Sequence, residues 1–287
     1  MRHFRAVIFI STLFCASIVA GNCLYHPSDL QRRAEAEEDF SYTGISGPLG
    51  WAGLSKNNTA CSTSSIQSPI NLDDSVGGPV AKIKIAIPDV KHAEFDNVGT
   101  TIWVMVNGTT KFLGKTYKMS QFHFHTPSEH RINEEYFPLE MHMVHRADDG
   151  TILVLGAVFE LTAKGDTTEL LTAVSKNIDK LASPGSSTQT GPLVFQPLIS
   201  HFQKAPLAYY TGSLTTPPCT DGVKWIFAKK PLPFDVKTYL AFKKILKFNS
   251  RYTQNTPGHR NLIEVAASQL PRRRTLSSML SSAMSIP

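Results

Sequence analysis

The segment QFHFHTPSEHRINEEYFPLEMHMVH, residues 121–145, holds five of the chain's ten histidines. His123 and His125 alternate with Phe122 and Phe124. On a strand that period of two sends both imidazoles to one face and both phenyl rings to the other. Glu140-Met141-His142-Met143 alternates in the same way and supplies a third histidine. A hairpin with a long connection sets His142 beside the first pair. Three imidazoles converging from adjacent strands leave one position of a tetrahedral zinc ion open, the pattern of catalytic rather than structural zinc. His123, His125 and His142 are therefore the candidate ligands and Zn2+ the candidate cofactor. Gln121 and Glu140 each lie two residues before a ligand and share its face. A metal-bound imidazole donates its second N–H to a carboxylate or carbonyl, a role open to both. His130 and His145 are set apart. His145 is three positions after His142, so on a regular strand it faces the other way.

The elements that must carry these residues are mostly strands. Candidates run over 83–87, 101–106, 111–115, 121–125, 139–145 and 152–161, with Asn107-Gly108 as a hairpin turn. Val154 to Phe159 is apolar without alternation, as expected of a strand buried on both faces. Helical spacing is confined to 168–177 and 236–248, while 193–203 is apolar with little period. An α+β chain that is mainly β, one large twisted sheet with short peripheral helices, fits these signals. Past it, Thr215-Thr216-Pro217-Pro218 reads as a rigid loop with hydroxyls at its rim.

At 287 residues and 41% hydrophobic content, a single large domain is the simplest organisation. The formal charge of +6 owes much to Arg272, Arg273 and Arg274. No aromatic-interleaved basic groove accompanies it, so nucleic acid is excluded as a partner. Residues 1–20 have the pattern of a signal peptide, 21–40 of an arm or pro-segment, and 268–287 of a basic, Ser-rich disordered tail; the domain is expected at 41–267. No segment is long enough for a membrane span. Secretion follows as the expected location. In that compartment Cys61 and Cys219 are candidate disulfide partners, and Cys23 is left over, free or bridging to a second chain. Asn57 and Asn107 begin glycosylation sequons.

In order along the chain, Gln67-Ser68-Pro69-Ile70-Asn71, Gln121 to His125, Ser128-Glu129-His130, Glu140 to His145 and Leu214 to Pro218 resemble the motifs of α-class carbonic anhydrases, especially secreted microbial and fungal ones. The likeness spans roughly residues 42 to 265. It implies a largely antiparallel central sheet and zinc on His123, His125 and His142. The implied activity is reversible hydration of carbon dioxide to bicarbonate. It also implies that Thr215 orients the nucleophile while donating to Glu129, and that Thr216 lines the rim. By the same likeness Val144, Val154, Leu214 and Trp225 form the apolar wall for carbon dioxide, and Gln121, Glu140 and the Asn249 backbone support the ligands. Arg251 packs behind the Thr215 loop, and Cys61 pairs with Cys219.

Departures from the family pattern bear on rate. Fast members carry a proton-relaying histidine just after an Asn-x-Gly; here Asn97-Val98-Gly99 is followed by Thr100, which does not titrate near neutrality. Ala52-Gly53-Leu54 stand where a tyrosine is expected after Trp51, and Trp103 takes a commonly polar position. Two rival readings use the same residues. His123-x-His125-x3-Glu129 resembles a cupin metal motif, but Tyr117 and Tyr136 stand where cupins want glycine. A carbonic anhydrase-like binding protein without catalysis usually lacks a zinc histidine, and all three are present here. No HExxH occurs, which disfavours a zinc protease.

Overall fold

The computed structural model describes residues 40–76 and 81–270. The expected leader, nearly all of the arm, Cys23 and the tail beyond Leu270 lie outside the described residues.

Stretches of β-branched and aromatic residues build one nine-stranded sheet. Across it lie β10 (Leu207–Ser213), β11 (Asp221–Phe234), β8 (Ile152–Leu161), β7 (Leu139–Arg146), β5 (Lys115–His125), β4 (Ile102–Phe112), β3 (Glu94–Asn97) and β9 (Ser187–Gln189), with β2 (Lys84–Ala86) also on β4. Neighbours are antiparallel except β8 and β11, which run parallel. β1 (Asn71–Leu72) and β6 (Arg131–Ile132) form a separate parallel pair. The mainly-β α+β architecture is thus as expected.

Alternation sorts the side chains between two cores. Phe122, Phe124, Met141 and Met143 enter the larger one, against Leu170, Val174, Phe202 and Phe242 of the helices Glu169–Ser175, Gln196–Lys204 and Val236–Leu246. Val144, Val154, Leu214, Trp225 and Phe227 form the second on the opposite face. β8 is buried from Ile152 to Phe159, as its unalternating sequence requires. Gly156 is the necessary gap in it. A Cβ there would lie 2.4 Å from Phe227 Cδ2, so only glycine lets that ring close over the strand.

The expected hairpin turn at Asn107-Gly108 is not formed. β4 continues through both residues with a register shift between Met105 and Gly108, and the chain reverses at Leu113-Gly114, both at positive φ. The glycine serves packing instead, since a Cβ at Gly108 would lie 2.7 Å from Ile87 Cγ1. The strand expected over 111–115 is therefore two strand ends around a turn.

His145 faces away from the other histidines, as expected, and is fully buried. Its Nδ1–H donates to the Met143 carbonyl (2.9 Å), and Nε2 accepts from the Thr110 hydroxyl (3.0 Å). Both nitrogens are satisfied only in the neutral ring, and burial lowers its pKa to about 4. The unfolded chain binds this proton near pH 6.5, so the stabilisation is complete above that pH and drains away as pH falls towards 4. Roughly 3 kcal/mol is at stake, since each tenfold change in proton affinity is worth about 1.4 kcal/mol. Urea denaturation at pH 7 and pH 4 is expected to show the wild type losing more stability than His145→Gln, by about that amount. Equal losses would remove His145 as the cause.

Candidate metal centre

Register, not proximity in sequence, assembles the centre. β5 and β7 pair so that His123 lies directly opposite His142, and His125 opposite Glu140. The three rings sit with centroids 4.6 to 5.2 Å apart. One ligand atom from each lies within 4.8 Å of the others, and all three residues are buried.

Each ring has one nitrogen engaged. His123 Nδ1 donates to Gln121 Oε1 (2.9 Å), and His125 Nδ1 to the Asn249 carbonyl (2.8 Å). His142 is turned the other way round, its Nε2 bonded to Glu140 Oε1, which leaves Nδ1 for the centre. The second nitrogens of the first two, His123 Nε2 and His125 Nε2, are buried without a partner. A buried polar atom left unpaired costs about 1–3 kcal/mol. Two of them aimed at a common point by rings whose other nitrogens are held fit a metal ion, and neutral imidazole is the zinc-binding form. Burial, reinforced by the neighbouring His125 and His142, holds the His123 ring well below its usual pKa; burial also lowers His142, to about 4.

A second triad, His130, Glu140 and His142, also lies close enough together to hold a metal. Its chemistry is different. Glu140 Oε1 accepts from His130 Nδ1 (2.7 Å) as well as from His142, and Oε2 accepts from the backbone N–H of Glu129 (2.9 Å) and of His130 (2.8 Å). With its oxygens taken by hydrogen-bond donors, Glu140 has no lone pair directed at an ion. Burial alone would raise this carboxyl, but His130 and His142 outweigh it and hold it well below the usual range.

Asn249 comes from a loop 124 residues beyond His125 and uses every polar group it has. Its side chain accepts from Thr126 N–H and donates to the Thr100 and Phe124 carbonyls, while its own carbonyl takes His125. Glu129, fully buried, is held through Oε1 by the Arg251 backbone N–H (2.8 Å). Burial raises its pKa, opposed by nearby His125 and by the Thr215 hydroxyl. Glu129 Oε2 is buried and has no partner at full hydrogen-bond geometry. Thr215 and Thr216 are nearly inaccessible, at 2% and 3%. Arg251 donates to the Ser68 and Cys61 carbonyls and to Gln67 Oε1, and Cys61 is joined to Cys219. The Thr215 loop is thus braced at both ends.

Val144, Val154, Leu214 and Trp225 lie in one buried cluster on the histidine face, with the Trp225 ring 4.8 Å from His142. Thr100 is half-buried, and Trp103 lies opposite His123 in register. His130, set apart from the candidate ligands in the sequence, is joined to the centre through Glu140, and Tyr210 and Ser68 extend that connection. Nothing local in the sequence marks Tyr210 for this.

Residues 46–266 match the family model described as eukaryotic-type carbonic anhydrase. A carbonic anhydrase of Neisseria gonorrhoeae is 35% identical over 195 residues, covering 66% of this chain and 73% of its own. The solved fungal alpha carbonic anhydrase of Aspergillus oryzae superposes with a TM-score of 0.79 at 43% identity, over 81% of this chain and 100% of that one. The alpha carbonic anhydrase of Thermovibrio ammonificans, solved with the inhibitor sulfanilamide, gives 0.69 at 32% identity, over 77% and 97%. Motifs, sheet and histidine geometry agree with these relatives, and the chain belongs to the alpha, or eukaryotic-type, carbonic anhydrase family.

Proposed function

We propose that His123 and His125 through Nε2, and His142 through Nδ1, hold a zinc ion at which carbon dioxide is reversibly hydrated to bicarbonate and a proton. The observation that carries this is the pair of buried, unpartnered Nε2 atoms beside a third ring turned by Glu140 to offer Nδ1. When bound, zinc supplies a hydroxide nucleophile at neutral pH by lowering the pKa of water to about 7, for which carbonic anhydrases are the standard example.

The remaining work falls to this chain's own groups. Glu129 is fixed as an acceptor by the Arg251 N–H, so the Thr215 proton points at it. The Thr215 oxygen is then left to accept, which admits a hydroxyl donor in one orientation only, a positioning effect. Val144, Val154, Leu214 and Trp225 present apolar surface to a substrate with no charge and no donor, while Thr216 supplies the polar margin. Gln121, Glu140 and the Asn249 carbonyl keep the three imidazoles in the required tautomers.

Proton export is the weak step. Thr100 has no titratable group to pass a proton outward, so buffer must collect it. Stopped-flow hydration assays on the purified protein are expected to show turnover that rises several-fold with buffer concentration and vanishes with a zinc chelator. Turnover independent of buffer would overturn the assignment of Thr100. Zinc-loaded protein without activity would instead support a binding protein built on this fold.

The Cys61–Cys219 disulfide and the expected leader support export to an oxidising compartment. The exposure of Asn57 and Asn107 suits both as glycan acceptors. No helix among the described residues is long and apolar enough to cross a membrane.

A further inference from the structure

Behind His142, beyond Glu140, runs a buried line of hydrogen bonds to which the hydration chemistry above assigns no role. Glu140 Oε1 joins His142 Nε2 to His130 Nδ1, and His130 Nε2 lies 2.6 Å from the Tyr210 hydroxyl. Tyr210 is 2.8 Å from Ser68 Oγ, which accepts from Ser213 N–H at 3.0 Å. Ser213 precedes Thr215 by two residues, and its own Oγ accepts in turn from Ser68 N–H (2.9 Å). The line therefore ends on the strand that leads into the Thr215 loop.

The donor and acceptor roles close in one way. The Glu140 carboxylate only accepts, so both histidines donate to it. With its proton on Nδ1, His130 offers Nε2 as an acceptor, which the Tyr210 O–H fills. Tyr210 oxygen then accepts from Ser68 Oγ–H. No water-exposed group enters this circuit: Ser68, His130 and Glu140 are fully buried and Tyr210 is 7% exposed. The Tyr210 ring is held independently of its hydroxyl, stacked on Trp225 at 8° between planes.

We infer that Tyr210 is a positioning residue for the metal ligand His142, acting through His130 and Glu140. Its hydroxyl locks the His130 tautomer, which holds the Glu140 carboxylate in the place where it turns His142 Nδ1 towards the ion. This rests on the zinc assignment proposed above. Without the hydroxyl, His130 Nε2 becomes a buried acceptor with no donor, and the ring must turn or reprotonate to relieve it. Glu140 Oε1, the oxygen that turns His142, then loses its second donor, and only the backbone N–H groups on Oε2 still hold the carboxylate.

The test is zinc affinity, measured by chelator competition on the full protein, for wild type and Tyr210→Phe. Phenylalanine keeps the stack on Trp225 and removes only the hydroxyl. A rise of about tenfold or more in the zinc Kd is expected, the usual effect of losing an outer partner of a ligand. Thermal melts of zinc-free protein separate this from general weakening: a lower Tm with unchanged Kd would overturn the inference while leaving the zinc assignment intact. Wild type that binds no zinc would overturn both. Long-range nitrogen–proton NMR of wild type needs no variant. It is expected to show His130 protonated at Nδ1 and bare at Nε2, and a proton on Nε2 sinks the proposal even if Tyr210→Phe fails to fold.

Discussion

Replacing His125 with alanine is expected to remove bound zinc and to lower carbon dioxide hydration more than about 1,000-fold, over 4 kcal/mol of transition-state stabilisation. The choice of His125 matters because two buried triads share His142. His125→Ala dismantles the three-histidine triad and leaves His130, Glu140 and His142 intact. If the second triad held the metal, the variant would keep one zinc per chain. Elemental analysis of the purified variant, beside a thermal melt to show that it is folded, distinguishes the two. Retention of zinc with activity within tenfold of wild type would falsify the assignment. A large loss is expected because no remaining group can replace the ring: its neighbours on the same face of β5 and β7 are His123, Gln121, Glu140 and His142, each already committed. By comparison, Gln121→Ala removes only the partner of His123 and is expected to weaken zinc binding about 10–100-fold.

Thr215→Val should behave in the opposite manner, keeping zinc and losing rate. Valine has nearly the shape of threonine, so the closely packed loop behind Leu214 and Cys219 has room for it. What disappears is the hydroxyl proposed to link Glu129 to the attacking oxygen. Loss of one preorganised orienting group in a dry site is worth about 100-fold in kcat/KM, or roughly 2.7 kcal/mol. Full zinc occupancy with kcat/KM reduced by that factor is the expected result. Thr216→Val, which leaves the Glu129 contact in place, is expected to fall by less than about tenfold. A Thr215→Val enzyme within a factor of three of wild type would show that Glu129 and Thr215 are structural neighbours rather than parts of the machinery.

The candidate metal ligands were legible because strand geometry converts alternation into a shared face with no help from the rest of the fold. His123, His125, Gln121, Glu140 and His142 all follow from a period of two, and the structure places their rings and partners accordingly. Turn chemistry was less reliable. Asn107-Gly108 has the composition of a hairpin, but Gly108 is needed where β2 packs on β4, and Leu113-Gly114 makes the reversal instead. The helix Gln196–Lys204 was hidden for a related reason. Only Leu198, Ile199 and Phe202 form its buried face, and the buried Leu193 and Phe195 just before it blur the period.

Local sequence determined which side chains could share a face, because side-chain direction along a strand is set by the backbone alone. It could not determine which ring nitrogen each histidine offers, since that depends on groups brought from far along the chain. The Asn249 carbonyl that orients His125 is 124 residues away, the Arg251 N–H that fixes Glu129 is 122, and the Tyr210 hydroxyl on His130 is 80. These partners carry no periodic signal, and only the resemblance to known motifs pointed to Asn249 and Arg251. Tertiary structure decided the rest: a buried polar atom must find a partner wherever the fold supplies one, and here those partners turn three histidines towards one point.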